Sequence, residues 1–278
     1  MTTALVFPAL DGFAATRRTL QLYSRAVAAI PRAYAESHPQ WWHVSLSVQP
    51  DGLVTDTVTL PEGSEIYLKM DLMQHNILLL DGDEVLRTWD MMAGLTSTAL
   101  GDQIIAAVEA LGLTGGDYAR EKFEDGEARV YDSAVAARFL TALTSADRIF
   151  KAHRATLSGE VSPVQLWPHG FDLAFEWYGA RVQTYEEHGA VQEHPSQLNL
   201  GFYPGDTANA YFYSNPWPFE AESLLDKPLP KGASWHTEGW QGAMLPYAEL
   251  AQDPDAEKRL RDFASTVYAM ASPTLMTG

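Results

Sequence analysis

SPVQLWPHGFDLAFEWYG, Ser162 to Gly179, sets two alternating runs around Pro168-His169-Gly170. Val164–Trp167 and Asp172–Tyr178 read as antiparallel strands joined by a tight turn. Alternation puts Gln165 and Trp167 on one face, and Asp172 begins the return strand. Across the turn His169 can meet Asp172, the usual way to orient an imidazole for acid–base work. The structural alternative is an aspartate bonded to turn amides.

The preceding segment reads as a helix over 133–157. At about 100° per residue, Val135, Phe139, Leu143, Ala146, Phe150 and Leu157 form its buried stripe, with His153 inside it. Asp147, Lys151 and Arg154 share one flank, beside Arg148. An i,i+4 ion pair with snorkelling stems explains this flank structurally. Functionally it reads as an anion-facing wall, with the Arg154 fork on a carboxylate or phosphate.

Outward from here the order repeats. The first half reads as a helix over 14–36, which Pro31 should kink or end. Strands follow at Trp41–Val48, Leu53–Thr59, Glu65–Met70, His75–Leu80 and Glu84–Trp89, then a helix over Thr98–Leu111 stopping at Gly112. Strands in the second half continue at Asn199–Tyr203, Ala210–Ser214, Ser234–Thr237 and Ala243–Leu245. A last helix starts at Asp253 and buries Leu260, Phe263, Val267 and Ala271. A short strand is expected before each half, at Ala4–Phe7 and Ala128–Tyr131. The expected fold class is therefore α+β: antiparallel sheets flanked by helices, in two similar helix–strands–helix halves that allow an internal pseudo-twofold. The halves are 1–112 and 133–278, with the glycine-rich, charged 113–132 as linker, all in one inseparable unit. Twofold-repeated folds of the TATA-binding-protein type share this order.

Composition narrows function by exclusion. The 278 residues are 46% hydrophobic, enough for a sizeable core. A net charge of −17 repels phosphate backbones and argues against nucleic acid. No apolar run approaches the ~20 residues of a membrane helix, and the N-terminus does not read as a signal peptide. The chain has no cysteine, which removes disulfides, thiolate nucleophiles and zinc ribbons and makes a cytoplasmic address the expectation. Walker, GxGxxG and GxSxG patterns are absent, and no cofactor is expected. No histidine pair has HExxH spacing. His236-Thr237-Glu238 matches the first part of a two-His-one-carboxylate site, and Glu186–His194 is rich in ligand types. Tyr211 and Tyr213 share a strand face, where Tyr213 can present its hydroxyl to a ligand.

Taken together, WWHVSL (Trp41–Leu46), DRIFKAHRA (Asp147–Ala155), SPVQLWPHGFDLA (Ser162–Ala174), GFYPG (Gly201–Gly205), AYFYSNPWP (Ala210–Pro218) and LPY (Leu245–Tyr247) resemble the bacterial domain-of-unknown-function 5996 family. The resemblance covers nearly the whole chain. It implies that Trp42, His43, Asp147, Arg148, Lys151, Arg154, Ser162, Pro163, Trp167 and Asp172 belong to the family's pattern. It also implies that this chain departs from the pattern at Gln165, where the family has a histidine, and at Pro168, where it has a glycine.

The leading expectation is a pocket between the halves that binds or transforms a small anionic molecule. Trp42, Arg148, Lys151, Arg154, Gln165 and Tyr213 would bind it, with His43 and Asp172 as catalytic candidates and no metal. One alternative is a non-catalytic protein-interaction module, its contacts made by the aromatic loops of 180–240. Another is a metal-dependent enzyme using histidine and carboxylate ligands.

Overall fold

A computed structural model describes residues 7–187, 190–205 and 209–276. The first half carries helix α1 (Phe13–Tyr34), strands β1 (Leu46–Gln49), β2 (Gly52–Thr55), β3 (Val58–Thr59), β4 (Glu65–Asp71), β5 (Asn76–Asp81) and β6 (Glu84–Asp90), and helix α2 (Ser97–Glu109). The second carries α3 (Ser133–Arg154), β7 (Gln165–Trp167), β8 (Asp172–Glu187), β9 (Ala190–Tyr203), β10 (Tyr211–Ser214) and β11 (Pro216–Trp217). After these come the single turn α4 (Ala221–Leu224), β12 (Ser234–His236), β13 (Gly242–Pro246) and α5 (Ala256–Ala271). The class is α+β, with a large antiparallel sheet.

All strands join one sheet, ordered β12-β13-β10-β9-β8-β7-β1-β2-β4-β5-β6, with β11 beside β9 and β3 beside β4. The halves meet where β1 pairs with β7, Leu46 opposite Leu166. Register then carries one parity across the sheet. Leu166 lies opposite Leu173, Leu173 opposite Phe202, Phe202 opposite Phe212, and Phe212 opposite Leu245. On the other side Val48, Leu53, Met70, Ile77 and Trp89 form a similar row. These side chains are buried under the helices: α1 packs on β2, β3 and β4, α3 on β1 and β8, and α5 on β9. The opposite face of the sheet carries the alternate residues, among them Ser47, Gln165, Asp172, Glu176, Tyr203 and Tyr213.

Local chemistry explains where the expected boundaries moved. The strand expected from Trp41 begins only at Leu46, because Trp41 takes a left-handed φ of 60° and Trp42–Val44 wind into a 3-10 turn. Pro31 sits in the last part of α1, which runs on to Tyr34. Helix α5 starts at Ala256 rather than Asp253, whose carboxylate instead accepts from the Asp255 amide. Strands β8 and β9 run longer than their alternating segments indicated. Ala128–Tyr131 forms no strand; the Val130 carbonyl accepts from Thr19 Oγ1 of α1. Most of the Ala4–Phe7 strand lies outside the described residues.

The linker segment is a packed strap. It buries Leu113, Tyr118 and Phe123, and Ser97 Oγ donates to the Phe123 carbonyl at 2.6 Å. The Phe123 ring occupies the space where a Cβ on Gly101 of α2 would stand, so this helix glycine is a socket. Arg18 and Arg129 both bond the Asp125 carboxylate, fastening the strap's far end.

Phe123→Ala should therefore lower unfolding free energy by about 3–5 kcal/mol. With the sheet continuous across the halves, tryptophan fluorescence and circular dichroism should report one coincident urea transition in wild type. Two separated transitions would show halves that fold independently.

Candidate functional site

The segment between α1 and β1, His38-Pro-Gln-Trp-Trp-His43, is a run of tight turns. Trp41 N donates to the His38 carbonyl at 2.8 Å, and Val44 N to the Trp41 carbonyl at 3.1 Å. These turns stack the His38 ring on Trp42, centroids 3.9 Å apart and planes 12° from parallel. They also bring the His38 amide to His43 Nδ1 at 3.1 Å. That bond fixes the tautomer: with the Nδ1 lone pair engaged, a neutral His43 carries its proton on Nε2 and presents an N–H donor. Burial, then the Arg32 charge, push the His43 pKa below its ordinary value, which favours the neutral ring.

Trp42, His43 and Gln165 line one cavity of about 510 Å³, together with Glu36, His38 and Asp56. Its floor is the join between halves, since Ser47 of β1 neighbours Gln165 of β7 one step from the Leu46–Leu166 pair. Two of its lining residues each carry a buried polar atom with no hydrogen-bond partner, Trp42 Nε1 and Gln165 Oε1. Each costs on the order of 1–3 kcal/mol if left unsatisfied. Amide orientation is an assignment, so Gln165 offers the cavity either its oxygen or its NH₂.

A second polar group lies farther along the same face. Asp172 stands opposite Trp167, and its carboxylate accepts a hydrogen bond from Tyr213 Oη. Tyr213 is on β10, two strands away, and reaches across β9 because Gly201 has no side chain; a Cβ there would collide with the phenol ring. Arg17 closes the end of this group, donating to the Gly170 carbonyl at 2.9 Å with its guanidinium 5.2 Å from the Tyr203 ring centroid. Burial raises the Asp172 pKa against the lowering effects of Tyr213, His169 and Arg17. Glu176, bonded by Tyr178 Oη at 2.9 Å, is raised by burial as well, with Asp172 adding to the shift. Tyr213, not His169, is the hydrogen-bonding side chain on Asp172.

The basic flank of α3 lies elsewhere. Helix α3 packs on the Leu166–Leu173 face of the sheet, and its Phe150 meets Phe175 at 6.2 Å, whereas Gln165 and Asp172 occupy the opposite face. Arg154 donates from Nε to the Ser162 carbonyl at 2.6 Å and from Nη2 to the Val161 carbonyl at 3.0 Å, holding the chain before β7. Lys151 pairs with Asp147 at 2.7 Å, and Arg148 is exposed on the same helix. The expected pocket is thus divided. Trp42, His43 and Gln165 come together, Asp172 and Tyr213 form a neighbouring pair, and the three cations do not join either.

Glu36, His38 and Asp56, which line the cavity, were not among the expected residues. Among the described residues no three histidine, aspartate or glutamate side chains converge as a metal site. His236 bonds the Glu238 backbone carbonyl at 2.7 Å, and His188 of the Glu186–His194 segment lies outside the described residues. Among the described residues no helix is long and apolar enough to cross a membrane.

The chain belongs to the family of unknown function DUF5996, whose model matches residues 7–276. Neither curated proteins nor solved structures gave a match.

The raised Asp172 pKa has a testable sign. The folded state holds this proton to higher pH than the unfolded chain, so the stability it lends is complete below about pH 4, the ordinary aspartate value. It is lost as pH climbs through the folded-state value. Asp172→Asn keeps an acceptor for Tyr213 and removes the titration. Its urea midpoint relative to wild type should rise steadily from pH 4 towards pH 7; a pH-independent difference would contradict the assignment.

Proposed function

We propose that this member of a family without assigned activity is a binding protein for a small, polar, uncharged molecule, held in the cavity of Trp42, His43 and Gln165. The observation that carries the reading is that Trp42 and Gln165, each with a buried and unpartnered polar atom, both line that one cavity. A ligand with an acceptor for Trp42 Nε1 and a complementary group for Gln165 would satisfy both, and His43 Nε2–H adds a second donor in the wall. The stacked His38 ring holds the indole in place for this role.

Charge distinguishes the ligand from the anion expected from sequence. The cavity's carboxylates are Glu36 and Asp56, and Arg148, Lys151 and Arg154 lie on the other side of the sheet. An anion here would meet like charge; a neutral molecule with donors and acceptors would not. His43, with Nδ1 occupied, acts in this reading as a donor to the ligand rather than as a general base.

A protein-interaction role draws support from a different feature. Val182 and Val191, on the outer part of the β8–β9 hairpin, are 54% and 71% exposed. Two further readings have separate support: the internal duplication in β1 and β7 being the first strands after α1 and α3, and the cytoplasmic address in the lack of cysteine.

Titration with nicotinamide and xylitol, followed through the Trp42 indole N–H resonance, tests the main proposal. Trp42→Phe, which removes only the donor-bearing ring, should weaken binding about tenfold, the equivalent of one hydrogen bond of ~1.4 kcal/mol. Native mass spectrometry of freshly purified protein should show a bound neutral species. An unmoved indole resonance together with an empty mass spectrum would remove the support for this site.

A further inference from the structure

A second cavity, of about 240 Å³, lies between α1, the strap and the turn joining β7 to β8. Arg25 and Arg32 of α1, Lys122 of the strap and His169 of the turn face it, beside the apolar surfaces of Val44 and Tyr118. No aspartate or glutamate lines it. In a chain with 36 acidic and 19 basic residues, cations are outnumbered, and nine lysine and arginine side chains pair with carboxylates among the described residues. These three do not.

Arg25 is spent on the backbone. Its Nε donates to the Pro168 carbonyl at 3.1 Å, Nη2 to the His169 carbonyl at 2.6 Å and Nη1 to the Lys122 carbonyl at 3.3 Å. It thereby fastens the three walls together while its charge meets dipoles only. Burial and the nearby Arg18 and Arg17 make ionisation of Arg25 harder than usual, the mark of a locally positive field. The Arg32 guanidinium lies 5.0 Å from the Trp41 ring centroid and bonds no carboxylate; Lys122 Nζ likewise has no acidic partner among the described residues. A half-buried Arg fork and a mobile ammonium beside an apolar wall make a receptor for an oxyanion on an apolar body.

We propose that this cavity binds a small organic anion, with Arg32 and Lys122 on its carboxylate or phosphate group and Val44 and Tyr118 against its apolar part. The volume falls below the ~300 Å³ at which drug-sized pockets begin, so the ligand is of small-metabolite size. This site is separate from the Trp42–Gln165 cavity and stands whether or not that one binds anything.

Calorimetric titration of the full chain with benzoate, phenyl phosphate and benzyl alcohol tests it. One or both anions should bind, with benzyl alcohol at least about tenfold weaker. Preference between the two anions identifies the head group. The double variant Arg32→Gln/Lys122→Gln, which alters one half-buried and one exposed side chain, should lose anion binding by at least about tenfold while keeping the wild-type circular dichroism and melting profile. Trp42→Phe should bind the anions as wild type does. Absence of heat with both anions, equal binding of benzyl alcohol, or full retention of anion binding by a folded double variant would each overturn the proposal.

Discussion

The pairing of Leu46 with Leu166 is the constraint on which both sides of the sheet depend. A strand alternates its side chains, so a one-residue slip at this join would send every β7 residue to the other face. Both leucines are fully buried beneath the helices, which fixes the register at the hydrophobic level. With that register set, Ser47 and Gln165 are forced to the helix-free face. The cavity lined by Trp42 and His43 can then draw on both halves of the chain. The site is a by-product of core packing one residue away.

The same alternation explains why carboxylates sit on a face that is only partly wet. Asp172, Glu176 and Tyr178 occupy alternate β8 positions, opposite the Leu173, Phe175 and Trp177 row. Aromatic neighbours desolvate them, and phenol hydroxyls supply the hydrogen bonds that water would otherwise make. Gly201 permits the Tyr213 ring to lie across β9. This glycine is therefore tied to the Asp172 geometry as closely as either partner. Its tight steric surroundings, unlike a turn glycine's positive φ, leave no mark in local sequence.

Periodicity made most of the fold legible. Leu260, Phe263, Val267 and Ala271 lie on one helical face in the chain and are buried in the structure. The α3 stripe from Val135 to Phe150 behaves alike. Misplaced boundaries fall where one residue's backbone decides, as at Trp41, whose left-handed conformation no pattern of polarity announces. For the site, the WWH motif and Gln165 were legible as unusual residues at strand ends. The cations of α3 were legible as a cluster too, but helical angle alone does not say which side of the sheet a flank serves. Arg154 and Lys151 turned out to hold loop carbonyls and a buried carboxylate, Asp147. Arg25, Arg32 and Lys122 were invisible as a group because 97 residues separate Arg25 from Lys122, and only folding brings them to one cavity.

Trp41 contacts one residue from each of two cavities of opposite electrostatic character. Trp41 has the Arg32 guanidinium 5.0 Å from its ring centroid and stacks on His43 at 5.6 Å. On the Arg32 side stand cations without carboxylates; on the His43 side stand Glu36 and Asp56 with neutral donors. An indole conducts no proton and offers its π-face to a cation, so it can keep Arg32 beside the imidazole without a hydrogen bond between them. Burial, and after it Arg32 as the largest charged contributor, push the His43 pKa below its ordinary value. Were Arg32 instead paired with Glu36, both cavities would lose their character: one its free cation, the other its neutral donor. Segregating Arg32 from Glu36 leaves the arginine without a carboxylate partner and its charge acting, with burial, to favour the neutral imidazole.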